Sequence, residues 1–177
     1  MKVEGTSGFC FPCEVRETEE MGLGVFASCP ISKGSIVWRH VPGQYAVYDE
    51  QVFRARLETM GHDEVVYELT HVFGLKEFPG CLIRIFDDGA LINHAPDGNL
   101  ATNHADASPA PLDATSSDYV ELVIRALLDD RYALVATRDI EPGEEFTNDY
   151  ASEIDDPRFY DALCEQYGVT EAYLDDG

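Results

Sequence analysis

Arg138-Asp139-Ile140-Glu141-Pro142-Gly143-Glu144-Glu145-Phe146-Thr147-Asn148-Asp149-Tyr150 is the run that decides how this 177-residue chain is read. Asp139 to Gly143, with its Pro-Gly pair, is predicted to turn. Glu144 to Tyr150 then reads as a short strand. Glu144 and Glu145 beside Asp149 suggest an acid–base pair, but a run of charges is ordinarily a solvated face.

Toward the N-terminus, Tyr119–Leu128 and Arg131–Thr137 flank Asp129-Asp130 and read as a β-hairpin. Pro96 to Asp118, rich in Asp, Ala, Pro and Ser, reads as a long loop. Cys81–Ile85 reads as a strand. Between Asp49 and Gly61, Val52, Phe53, Leu57 and Met60 recur at helical spacing. From His62 to Phe73, Val65, Val66, Leu69, Val72 and Phe73 do the same, so two short helices are predicted. Gly22-Leu23-Gly24-Val25-Phe26-Ala27 reads as a tight turn entering a strand. Pro30 to Gly34 is a second turn, before the apolar run Ser35-Ile36-Val37-Trp38. Beyond Tyr150, Asp156-Pro157 is predicted to cap and start a helix with an apolar stripe of Phe159, Leu163 and Tyr167, stopped at Gly168. The class is mostly β with a helical insert and a C-terminal helix.

Composition narrows the function. The chain carries 34 Asp plus Glu against 12 Lys plus Arg, a net charge of −22. Such a surface repels nucleic acid, whose phosphates are neutralised by Lys and Arg. It suits either a basic protein partner or plain solubility. No apolar run approaches the length of a membrane helix, about 18 residues. No apolar stretch follows Lys2, so no secretory signal is read, and an intracellular location is expected, with nucleus and cytoplasm left open. The five cysteines are odd in number and scattered, which argues against a disulfide framework. Cys10-x-x-Cys13 is a metal-like spacing without a second pair, and structural zinc takes four ligands. The cysteines therefore read as free buried thiols, and no metal is expected.

Three segments, in order, resemble the SET-domain protein methyltransferases. Gly22-Leu23-Gly24-Val25-Phe26-Ala27, with Ile31-Ser32-Lys33-Gly34 behind it, resembles the family's GxG strand and I-x-x-G. Ala90-Leu91-Ile92-Asn93-His94, with Asn99 further on, resembles R-F-I-N-H-S-C-x-P-N. Arg138 to Tyr150 resembles R-D-I-x-x-G-E-E-L-T-F-D-Y. The resemblance implies a β-clip-like SET fold of small curved sheets, with a pseudoknot where the last segment threads past Asn93-His94. It divides the chain into an N-terminal extension over 1–13, a SET domain over 14–151 and a C-terminal helical extension over 152–177.

The resemblance further implies S-adenosyl-L-methionine as cofactor and lysine methylation of a basic protein, for example a histone tail. The backbone of Gly22, Leu23 and Gly24 would contact the cofactor, Asn93 would bind its amino-acid part and the His94 backbone its adenine. Tyr150 would be the catalytic tyrosine. Asn148 stands in the substrate channel where the family often carries Phe or Tyr, a ring that limits how many methyl groups fit. Ala95-Pro96 replaces the usual Ser-Cys, Gly98-Asn99 the Pro-Asn pair, and no C-x-C-x4-C follows Tyr150. Two alternatives remain: a catalytically silent SET-like module that binds a basic peptide, and an unrelated β-rich acidic interaction protein.

Overall fold

A computed structural model describes residues 7–19, 21–103 and 112–169. In chain order the elements are β1 (Cys13–Glu17), β2 (Leu23–Ala27), β3 (Ile36–Trp38), β4 (Tyr45–Tyr48), α1 (Glu50–Leu57), α2 (His62–Leu69), β5 (Val72–Phe73), β6 (Leu82–Ile85), β7 (Asn93–His94), β8 (Leu100–Thr102), α3 (Tyr119–Leu127), β9 (Leu134–Ala136), β10 (Thr147–Asn148), α4 (Tyr150–Glu153) and α5 (Arg158–Tyr167). Short 3-10 turns lie at Asp88–Leu91 and Asp130–Tyr132. No described helix is long and apolar enough to cross a membrane.

Two units emerge. The first draws its described residues from Met1–Tyr45, Phe86–Ala110 and Arg125–Ser152. It holds the β1-β2 hairpin and a five-stranded sheet ordered β3-β9-β8-β10-β7. β10 lies between β7 and β8 and runs parallel to both, with Thr147 opposite Asn93 and Asn148 opposite both His94 and Leu100. Residues 93–102 therefore pass on both sides of the later strand, the threaded arrangement that the resemblance implies. Residues 8–10, set apart above as an extension, pair onto β3: Cys10 N donates to Val37 O at 2.9 Å and Arg39 N to Gly8 O at 3.0 Å. Val25, Val37, Trp38, Leu100, Ile140 and Phe146 are buried in this unit.

The second unit draws on Ala46–Ile85, Pro111–Ile124 and Glu153–Gly177. Its helices fold onto an apolar cluster of Phe53, Leu57, Val65, Leu69, Val72, Leu82, Tyr160 and Leu163. Phe53, Leu57, Val65 and Leu69 are among the residues whose helical spacing predicts α1 and α2. Asp49 caps α1 by accepting from Val52 N at 2.8 Å. Glu68, buried, sits between Arg56 at 2.8 Å and Arg84 at 3.8 Å, so its charge is balanced.

Several elements depart from the sequence reading, each for a physical reason. Tyr119–Leu127 is helical, and its buried residues Tyr119, Val123 and Leu127 recur every fourth position. Its β-branched content imitates a strand, while the period is that of a helix. Asp129 accepts from Arg131 N and caps a 3-10 turn, so there is no hairpin. The second helix stops at Leu69, and Val72 and Phe73 pair with Arg84 and Ile83 as a strand. Leu100–Thr102, inside the expected loop, is a central strand, and residues 104–111 of that loop lie outside the described residues. The Glu144–Tyr150 strand shrinks to Thr147–Asn148, with Tyr150 opening α4. Asp156 does not cap α5: Pro157 holds the N-cap position, and Asp156 Oδ1 accepts instead from Gly74 N at 2.5 Å. Gly168 ends α5 in the left-handed region, φ 70°, as expected. Of the ends set apart as extensions, residues 1–6 and 170–177 lie outside the described residues.

The cysteines are free, and the expectation of burial holds for Cys81 and Cys164 while Cys10 is exposed and Cys13 and Cys29 are half-buried. Burial, with Asp88 and Asp87 nearby, pushes the Cys13 thiol up to about 11. Among the described residues, no three His, Cys, Asp or Glu side chains gather as a metal site.

Candidate active site

The residues singled out as a site converge in the first unit because β10 brings them together. Gly22 has a positive φ of 79°, which suits glycine and lets the chain turn into β2. Leu23 is exposed and its carbonyl accepts from Asn93 Nδ2 at 3.1 Å. That bond joins two segments 70 residues apart in sequence. The same Nδ2 donates to Glu145 Oε1 at 2.7 Å. A Cβ on Gly24 would collide with that carboxylate and approach Thr18 Cγ2 to 2.9 Å. The close approach made possible by Gly24 is therefore that of Glu145, a protein side chain. Ala27 N donates to Glu144 O at 2.9 Å and Phe146 N to Val25 O at 2.7 Å, so the Glu144–Phe146 segment is bonded along β2.

Asn99 holds the threaded strand from the other side. Almost fully buried, it donates from Nδ2 to Glu145 O at 2.7 Å and accepts at Oδ1 from Thr147 N at 3.1 Å. Both ends of one amide are thus matched to the backbone of a strand it must recognise. Gly98 belongs to the same contact. A Cβ there would come within 2.8 Å of Thr147 O and 2.9 Å of Asn148 Cα. Asn148 is buried at 4% exposure in the middle of the threading.

Tyr150 is half-buried at the start of α4. Its hydroxyl donates to the carbonyl of Ile92, and its backbone N donates to His94 Nδ1 at 3.2 Å. The His94 ring stacks on the Tyr150 ring, centroids 5.8 Å apart and planes 27° apart. Because Nδ1 accepts, Nε2 carries the proton of the neutral ring. The His94 side chain thus orients Tyr150, a role the sequence reading did not assign. With its proton held by Ile92, the phenol oxygen meets a further partner as an acceptor.

The family model for the SET domain matches residues 22–151. This chain belongs to the SET-domain family. The order of the three segments, the threaded strand and the small sheets are those of a SET domain. Among solved structures it is similar to the Neurospora SET domain protein DIM-5, a histone lysine methyltransferase, at 21% identity and a TM-score of 0.51. That match covers 81% of this chain and 53% of the other, so the chain spans about half the length of its relative. The likeness speaks to the fold. No curated protein sequence matches the chain at a significant level.

The sequence does not single out Glu145 as a partner of Asn93, and it shows Asn99 only as a member of a motif, without its bonds to Glu145 O and Thr147 N. Glu145 was hidden in a run of charges that read as a solvated face, and its partner Asn93 lies 52 residues away. The signal available in sequence was that Asn99 accompanies the Asn93-His94 pair.

Proposed function

We propose that this SET domain is an S-adenosylmethionine-dependent protein-lysine N-methyltransferase acting on a basic protein. The observation that carries the reading is the gathering of Tyr150, Asn93, His94 and the Gly22–Gly24 strand around β10. The residues fit the cofactor, because Asn93 directs its amide nitrogen to Leu23 O and Glu145 Oε1 and keeps Oδ1 as an acceptor for an ammonium group. Asn93 would hold the amino-acid part, and the backbone of Gly22 to Gly24 and of His94 the remainder. S-adenosylmethionine supplies, when bound, an electrophilic methyl group on a sulfonium.

What the chain must do is deliver a neutral lysine amine in line. A free lysine has a pKa of about 10.4, so roughly one in 2500 is neutral at pH 7. A desolvated channel and a nearby cation both lower that value. Tyr150 O, fixed by its bond to Ile92, accepts from the amine and sets its direction. Positioning of this kind is a large part of the rate. Asn148 places a smaller, polar group where a ring would limit the number of methyl groups, so it bears on the degree of methylation. The excess of 34 acidic over 12 basic residues favours a Lys/Arg-rich segment as substrate.

The test is Tyr150→Phe, assayed by mass spectrometry of methylated basic peptides beside titration with S-adenosylmethionine. The variant deletes a hydroxyl that acts in the transition state, so turnover falls by about 10²-fold or more while cofactor affinity stays. Wild-type turnover in Tyr150→Phe contradicts the catalytic assignment. A wild type that binds the cofactor and methylates nothing points to a silent peptide-binding module.

A further inference from the structure

We propose that Glu145 is a positioning residue: it sets the orientation of the Asn93 amide and through it the recognition of the ammonium on the cofactor's amino-acid part. This rests on the cofactor reading above. An asparagine amide presents a donor end and an acceptor end, and the end that meets a ligand decides whether it binds an ammonium or a carboxylate. At Asn93 the protein makes that choice. Nδ2 lies 2.7 Å from Glu145 Oε1 and 3.1 Å from Leu23 O, and both partners are acceptors. A flipped amide would set Oδ1 against a carboxylate and a carbonyl at once. Oδ1 is thereby kept for a donor. Of the two partners, Glu145 Oε1 is the nearer and the one that belongs to a side chain.

The position of Glu145 is itself built in. Its carbonyl accepts from the buried Asn99, its residue bridges to Phe26, and its carboxylate lies over the Cα of Gly24, which has no Cβ. Glu144, adjacent in sequence, does something else. It pairs with Arg138 at 2.6 Å and accepts from Glu141 N at 2.8 Å, closing the turn. Two neighbouring glutamates of like composition thus separate into a turn closer and an amide director, and the first is a natural control for the second.

The experiment is calorimetric titration of the full chain with S-adenosylhomocysteine, which carries the amino-acid part, and with 5′-methylthioadenosine, which lacks it. The variants are Glu145→Ala, Glu145→Asp, Glu145→Gln and Glu144→Ala. Glu145→Ala and Glu145→Asp, one lacking the oxygen and the other too short to reach Asn93, weaken S-adenosylhomocysteine roughly tenfold, the scale of one hydrogen bond. Both leave 5′-methylthioadenosine unchanged. Glu145→Gln keeps an oxygen at the same reach and stays near wild type, as does Glu144→Ala. Should Glu145→Ala fail to fold, Glu145→Asp decides. Equal weakening of both ligands would mean general structural support and would overturn the proposal. So would unchanged S-adenosylhomocysteine affinity, or a loss in Glu145→Gln without one in Glu145→Asp, which would assign the effect to charge. A wild type that binds neither ligand removes the cofactor reading itself, and it does so before any variant is compared.

Discussion

The strands around β10 and the helical cluster around Phe53 are held by different forces. Around β10, side-chain amides and an imidazole bond to backbone groups far away in sequence: Asn93 to Leu23, Asn99 to Glu145 and Thr147, His94 to Tyr150. Around Phe53 the contacts are apolar, and the buried Tyr160 is tied down by donating from its hydroxyl to Leu69 O at 2.8 Å. Hydrogen bonds specify the identity and position of a residue, because an unmatched buried group costs about 1–3 kcal/mol. Apolar packing asks for volume at the right period and accepts many residues. A region that must present particular atoms to a ligand is built the first way.

Emptying the apolar cluster has the largest expected effect on stability. Phe53 is fully buried, so Phe53→Ala should cost about 3–5 kcal/mol, read as a lowered midpoint in urea unfolding. A loss well under 1 kcal/mol would mean that the cluster is not what stabilises its unit.

Acid acts on the first unit. His40 packs edge-on between Trp38 and Tyr45, its Nδ1 has no hydrogen-bond partner among the described residues, and burial lowers its pKa to about 4. The folded value lies below the ordinary 6.5, so the unfolded chain takes up the proton first. The contribution to stability is flat above pH 6.5 and is lost as pH falls from 6.5 toward 4, by about 3 kcal/mol at pH 4. His40→Phe should flatten this part of the stability–pH curve. Parallel curves for wild type and variant would contradict it.

The same contrast explains what was legible in the sequence. Asn93, Asn99 and Tyr150 could be recognised because their bonding partners demand those residues at those places. The Gly22-Leu23-Gly24 turn was legible because a positive φ at Gly22 favours glycine. Tyr119–Leu127 was misread because an apolar helix and an apolar strand draw on the same residues and differ in period alone. Val72 and Phe73 continued a helical spacing by chance, and their pairing with Arg84 and Ile83 is not local. Asp156 looked like a helix cap because its true partner, Gly74 N, is 82 residues away. Glu145 was invisible as a director of Asn93 for the same reason. Long-range partners are where reading along a chain stops.

If the polar network around β10 builds a site for S-adenosylmethionine, Asn93→Ala strikes at its polar anchor. Titration with S-adenosylmethionine should show affinity lower by about 1–3 kcal/mol, the cost of a lost hydrogen bond to a charged group, with the unfolding transition still cooperative. A folded Asn93→Ala protein that binds S-adenosylmethionine as tightly as wild type would show that this network does not build the site.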